Sequence, residues 1–399
     1  MEPTASSPFV CTPHRLRQLC RRLRSSRRIG LDTEFISERR FSPDLGIIQV
    51  AVEEECAIID PQITPDLSDL YEVLWDCRIE KILHAGRQDL EILHGLGGHV
   101  PAPVFDTQIA AALVGYGEQI SYARLVEQLV GVTLCKNEGF TDWNMRPLSV
   151  EQVEYALDDV RYLLSTAERL RDQLRRLGRS GWAKEEFARL EEHVRAAQLS
   201  PRERYRRVRG WATLSPRGLA ILRELAAWRE AQAEQKNRPR GRIIPDEVLV
   251  ELARRAPTDR PALHSIRVLN PGIVKRQADE ILKTVRRGLQ VPEIELPALP
   301  KRSMPVSAPP GLVDLLSTVL RARAEQLQIA PGILAKRGDL ERMAIDSRCV
   351  DYLPVLQGWR LDLIGRELLD VLNGQRVVGF DISEQKVKTF PTEEDDRPQ

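Results

Sequence analysis

Residues 27–35 read RRIGLDTEF, and this stretch decides the fold. Ile29 and Leu31 alternate with Gly30, Asp32 and Glu34, the period of two that an extended strand imposes, so a strand here carries both carboxylates on one face. A strand this apolar does not bury two acids without a partner for their charge. Working outward, two further acids stand in contexts that suit the same site. Asp89 lies in KILHAGRQDLEIL (81–93), where an apolar strand start and a glycine-containing turn lead into the helical spacing of Leu90, Ile92 and Leu93. This places Asp89 in the first turn of a helix. Asp159 lies in EYALDDVRYL (154–163), four residues after Tyr155, so one helix face stacks the phenol and the carboxylate. Ser149 and Gln152 have the spacing of a capping box that starts this helix.

Four converging carboxylates would raise one another's pKa and resist joint ionisation, and divalent cations resolve that conflict. Magnesium takes oxygen ligands and combines carboxylates with water and substrate phosphate, and manganese accepts the same donors. Two such ions roughly 3.5–4 Å apart would stabilise the attacking and leaving oxygens of an in-line displacement at phosphorus. The set therefore points to phosphodiester hydrolysis. A free phenol titrates at about 10 and is a poor base at neutral pH. Tyr155 is thus expected to aim the nucleophilic water, and to act as the base itself only if the cations depress its own pKa.

Together these contexts resemble the ribonuclease D family of 3′–5′ exonucleases, whose acidic motifs read Asp-x-Glu, a central Asp, and Tyr followed four residues later by Asp. The likeness runs on through SPDLGIIQVA (42–51), LHAGRQDLEIL (83–93), VFDTQIAAALVGYG (104–117) and TDWNMRPLSVEQVEYALDDVRYLL (141–164), in order, over about a third of the chain. The resemblance implies an α/β, RNase H-like exonuclease domain with a mixed sheet. It implies that Asp32, Glu34, Asp89 and Asp159 bind two Mg2+ ions (or Mn2+), that Tyr155 positions the attacking water, and that Asp106 supports the site without ligating. It also implies an RNA substrate, such as tRNA precursors with single-stranded 3′ ends, shortened by one nucleoside 5′-monophosphate at a time. The chain departs from the family at Ser37, where an arginine is common, and at Gly139 and Phe140, where polar residues are common.

A length of 399 residues suggests two or three domains. With 59 basic and 58 acidic residues the net charge is +1, so attraction to nucleic acid has to be local. Among the basic clusters, KNRPRGR (236–242) concentrates charge at a Pro/Gly turn, and Arg238 and Arg240 are candidate nucleic-acid contacts. Lys136, Trp143 and Arg146, before the last acidic helix, are further candidates, with Trp143 and Phe140 either stacking on bases or packing in the core. Trp211 and Trp228 read as core. Six cysteines without CxxC pairs, no signal-like N-terminus and no long apolar run lead to the expectation of a cytoplasmic monomer without disulfides or membrane contact. His84, His94 and His99 have no metal-ligand spacing and read as structural.

The strand-like runs GLDTEF, IIQVAV, CAIID and KILHA alternate with helical ones and, with a connecting helix, define an exonuclease domain over 1–200. Residues 210–294 resemble an HRDC domain, the likeness resting on LRELAAWREAQAEQKNRPRGRIIPDEVLVELA (222–253). A proline-rich linker is expected over 295–309, a second, divergent HRDC-like module over 310–380, and an acidic, disordered tail over 381–399. The expected architecture is thus an α/β domain followed by two all-helical modules, the three forming a funnel for a single-stranded end. Two other readings stay open: a DNA exonuclease of the proofreading type, and a nucleic-acid-binding scaffold with a residual nuclease domain.

Overall fold

The computed structural model describes residues 8–36, 44–53, 55–134, 142–197, 202–297, 308–345 and 353–392. Ser37, Lys136, Gly139 and Phe140, most of the proline-rich linker and residues 393–399 lie outside them.

Six strands form one sheet: β1 (Phe9–Val10), β2 (Arg28–Ile36), β3 (Asp44–Val52), β4 (Glu55–Ile59), β5 (Glu80–Leu83) and β6 (Val104–Asp106). The sheet order is β1-β4-β3-β2-β5-β6. β3 runs antiparallel to both β2 and β4, while β1–β4, β2–β5 and β5–β6 pair in parallel, so the sheet is mixed. Alternation in β2 divides its residues between two apolar layers. Ile29 and Leu31 join Ile48 and Val50 of β3 beneath α1 (Pro13–Ser25), α2 (Ser68–Trp75) and α3 (Arg87–Gly97). The opposite face, carrying Asp32 and Glu34, is covered by two helices that follow α4 (Thr107–Val114) and α5 (Tyr122–Val130). These are α6 (Val150–Arg161) and α7 (Leu163–Arg176).

The capping box at the start of α6 is complete: Gln152 N–H donates to Ser149 Oγ at 3.1 Å, and Ser149 N–H to Gln152 Oε1 at 2.9 Å. The helical pattern of the sequence continues this helix from Arg161 to Leu177, up to Gly178. Instead it breaks at Tyr162 (φ −107°, ψ 3°), whose N–H turns to Val160 O. The break frees α7 to pack on α4 and α5.

α8 (Ser180–Ala197) connects to a helical module built from α9 (Pro216–Gln235), α10 (Arg240–Ile243), α11 (Asp246–Arg255), α12 (Arg260–His264) and α13 (Pro271–Leu289). Its core, from Tyr205 to Val285, is its own and includes the buried Trp228, with Trp211 packed at its edge. α9 and α13 meet so closely that a Cβ on Gly288 would lie 2.4 Å from Ile221 Cα, so only glycine fits there.

The last module behaves differently. α14 (Pro310–Leu327), α15 (Pro331–Leu334), α16 (Arg337–Ile345), α17 (Gly358–Arg360) and α18 (Arg366–Leu372) share one continuous apolar cluster with the sheet domain, from Ile82 and Leu125 through Leu170 and Phe187 to Leu320, Trp359 and Leu368. Two expectations are corrected here. The module is not all-helical, because it closes with an antiparallel hairpin, β7 (Arg376–Asp381) and β8 (Lys386–Pro391). Residues 386–391, assigned from sequence to a disordered tail, form the second strand. Val378 of the hairpin packs against the core, and Arg376 bonds to Thr389, which gives these residues a place the charged composition of the tail does not reveal.

Candidate active site

Asp32 and Glu34 project from β2 toward α6, where Tyr155 and Asp159 sit one turn apart. Asp32, Glu34 and Asp159 each offer a carboxylate oxygen, and these oxygens lie within 4.8 Å of one another. Among the described residues no other three His, Cys, Asp or Glu side chains converge in this way. Tyr155 hydrogen-bonds the Asp159 carboxylate, and its ring lies 6.1 Å from that of Trp143.

Burial and crowding both oppose ionisation of this group. Burial raises the pKa of Asp32 well above the ordinary carboxylate range, and Asp89, Asp159 and Glu34 add to the rise. Glu34 is pushed up to about 8 by burial and then by Asp159 and Asp89. Asp159 rises to about 7, by burial first, although the Tyr155 hydrogen bond works in the other direction. Burial, and after it the charges of Asp159, Glu34 and Asp32, likewise drives the Tyr155 phenol upward. Without cations Tyr155 is therefore a firmly protonated hydrogen-bond donor.

Asp89 stands beside the converging three rather than among them. It lies in the first turn of α3, is only 7% exposed, and accepts a 2.5 Å hydrogen bond from Thr33 Oγ1 on the other face of β2. Thr33 was not singled out from sequence; the polar residue between Asp32 and Glu34 was the signal. The loop that carries Asp89 is held by Asp106. Its carboxylate accepts from Ala85 N (3.2 Å) and Gly86 N (2.9 Å), and it caps α4 by accepting from Gln108 N (2.8 Å) and Ile109 N (3.1 Å). Ala85 has φ +54°, a left-handed conformation that an alanine adopts only when its surroundings enforce it. His84 has both ring nitrogens engaged, Nδ1 with Thr107 Oγ1 and Nε2 with Ile120 O.

Several residues expected from sequence to contact nucleic acid are engaged within the protein. Trp143 is 1% exposed and packs with Ile47, Ile58, Ala156 and Leu157, so it is core and presents no face to a base. Arg146 spends its guanidinium on the protein: Nε donates to Asp60 Oδ2 (2.5 Å), Nη1 to Trp143 O and Met145 O, and Nη2 to Gly46 O. Four of its five N–H donors are thereby used, and phosphate binding would have to dismantle this clamp. Arg240 donates to the buried Glu230, which also pairs with Arg204. Arg238 is exposed at the same turn. Asp60 did not stand out in the sequence, since its partner Arg146 lies 86 residues away along the chain.

Residues 9–175 match the family described as 3′-5′ exonuclease, and residues 218–285 match the HRDC domain. A protein named Ribonuclease D from Bartonella henselae is 39% identical over 370 residues, which cover 92% of this chain and 90% of that one. The chain belongs to the ribonuclease D family. A second ribonuclease D, from Granulibacter bethesdensis, is 37% identical over 96% of this chain and 97% of its own. The fold agrees: the crystal structure of Escherichia coli RNase D, described as an exoribonuclease involved in structured RNA processing, superposes with a TM-score of 0.81 at 30% identity, covering 92% of this chain and 98% of that one. The chain is thus an enzyme, a hydrolase of the exoribonuclease type, with its acidic cluster inside the matched exonuclease segment.

Proposed function

We propose that this member of the ribonuclease D family shortens structured RNA precursors, tRNA precursors among them, from single-stranded 3′ ends, hydrolysing each phosphodiester with two divalent cations and releasing nucleoside 5′-monophosphates. The observation that carries the reading is the convergence of Asp32, Glu34 and Asp159 within 4.8 Å, with Tyr155 bonded to the last. An all-oxygen donor set whose members resist shared ionisation fits a hard cation such as magnesium. Asp32, Glu34 and Asp159 would hold it, with Asp89 alongside to complete a second position. Bound there, the cations supply acidification of water and stabilisation of charge on the attacking and leaving oxygens.

The protein's own groups set the geometry around that chemistry. Tyr155, backed by the Trp143 ring and tied to Asp159, orients the attacking water by hydrogen bonding. The HRDC domain, with Arg238 exposed at the α9–α10 turn, offers a route for RNA held by phosphate contacts. No described helix is long and apolar enough to cross a membrane, and we take the enzyme to work as a cytoplasmic monomer.

The test is a time course on 5′-labelled RNA with Mg2+, with chelator, and with Asp159→Ala. A ladder receding from the 3′ end, lost in the last two conditions, supports the reading. Faster loss of a matched DNA strand would overturn the RNA assignment, and no ladder on either would leave only binding.

A further inference from the structure

From Leu45 to Val52, β3 is apolar except at one point. In Gly46-Ile47-Ile48-Gln49-Val50-Ala51, Gln49 is 0% exposed, and neither its Oε1 nor its Nε2 has a hydrogen-bond partner. A buried amide left unpaired is a cost that an apolar side chain of the same length would not incur. Its position gives the orphaned amide a use. In the antiparallel β2–β3 ladder Gln49 stands directly opposite Asp32, as Ile47 stands opposite Glu34 and Ala51 opposite Gly30. Directly opposed residues share a face, with their Cβ atoms roughly 4.5–5.5 Å apart. Gln49 therefore shares the acid-bearing face with Ile47, the face that α6 covers, and is too deep to reach a substrate.

We propose that Gln49 is a positioning residue of the acid site, its side-chain amide donating to the Asp32 carboxylate when a divalent cation is bound. The inference rests on the divalent-cation reading above. A carboxylate that ligates a cation with one oxygen leaves lone pairs for a donor behind it, and such a donor fixes the ligand's orientation. Of the other polar groups near this face, the Tyr155 phenol is already bonded to Asp159, the Tyr122 hydroxyl feels the charges of Asp159 and Asp32, and the Trp143 indole N–H is itself without a partner. Among the described residues Gln49 is the one amide on this face, and strand register sets it directly opposite Asp32.

The experiment is a Mg2+ and Mn2+ titration of the cation-stripped full chain, read by thermal unfolding, for the parent, Asp32→Asn, Gln49→Met and Gln49→Asn. Methionine matches glutamine in length and removes the unpaired amide, so Gln49→Met is expected to melt at or above the parent without cations. Its cation midpoint is expected to rise about 10–100-fold. Gln49→Asn keeps the amide one methylene short and should fall between the two. A Gln49→Met midpoint equal to the parent's overturns the inference; if that variant does not fold, an unchanged Gln49→Asn midpoint does so. A parent that gains no stability from either cation, or an Asp32→Asn protein that titrates like it, overturns the cation reading instead.

Discussion

At the scale of the residue, Tyr155 and the carboxyls beside it make separable predictions. Tyr155→Phe keeps the ring against Trp143 and removes only the hydroxyl. We expect kcat to fall by roughly 10²-fold or more with the cation midpoint little changed, measured by single-turnover cleavage beside a thermal titration. The carboxyls give a pH dependence. Glu34 and Asp159 titrate in the folded protein at about 8 and about 7, above their ordinary 4.5 and 3.8. The folded form therefore keeps protons that the unfolded chain releases. That contribution to stability is fully present below the ordinary values and is lost as pH rises through the folded ones. The cation-free protein should melt lower at pH 8 than at pH 5, and Mg2+ should raise the melting temperature more at pH 8. A cation-free melting temperature that rises over this interval would contradict the geometry.

At the scale of the element, the β5–α3 connection decides where Asp89 stands. Gly86 sits so close that a Cβ would lie 2.5 Å from Leu83 Cβ, Ala85 is held left-handed, and the Asp106 carboxylate bonds to both their N–H groups while capping α4. One carboxylate thus links two helix starts. Asp106→Ala should cost about 2–3 kcal/mol in denaturant unfolding, since it removes an N-cap and leaves buried N–H donors unpaired. It should also weaken cation binding through displacement of Asp89. Asp106→Asn, which retains an acceptor oxygen, should recover part of both. Equal stability of Asp106→Ala and the parent would mean that backbone contacts alone hold this loop.

At the scale of the whole molecule, the two C-terminal modules differ in kind. The HRDC domain has a separate core, whereas the final module is part of the catalytic body. The joint is specific: Trp359 stacks on Trp182 of α8 with ring centroids 4.6 Å apart, its Nε1 donates to Glu186, and Arg360 clasps both oxygens of the same carboxylate. Arg179 donates to Leu327 O of α14 and Leu113 O of α4. Trp359→Ala should destabilise the catalytic body by about 3–5 kcal/mol while leaving the HRDC domain's unfolding unchanged. Two transitions in calorimetry, only one of them shifted, would establish this; a single shifted transition would refute it. Truncation after residue 295 would expose the apolar faces of α4, α5 and α8, so lost activity there would not by itself demonstrate an RNA funnel.

The sequence by itself determined most of the elements of the sheet domain and which acids were candidates for its site. Period-two alternation put Asp32 and Glu34 on one face, a four-residue offset put Tyr155 and Asp159 on another, and a capping box set the start of α6, because these are local rules written within a few residues. Tertiary structure decided what depends on partners far along the chain. It turned Arg146 inward through Asp60, buried Trp143 under the sheet, set Asp89 against Thr33, and placed Gln49 opposite Asp32 through strand register. It also folded the charged stretch 376–391 into a hairpin and merged the last module with the catalytic core. Composition cannot foresee such outcomes, because a guanidinium, an indole or an amide acquires its role only from the group that the fold brings within hydrogen-bonding or packing distance.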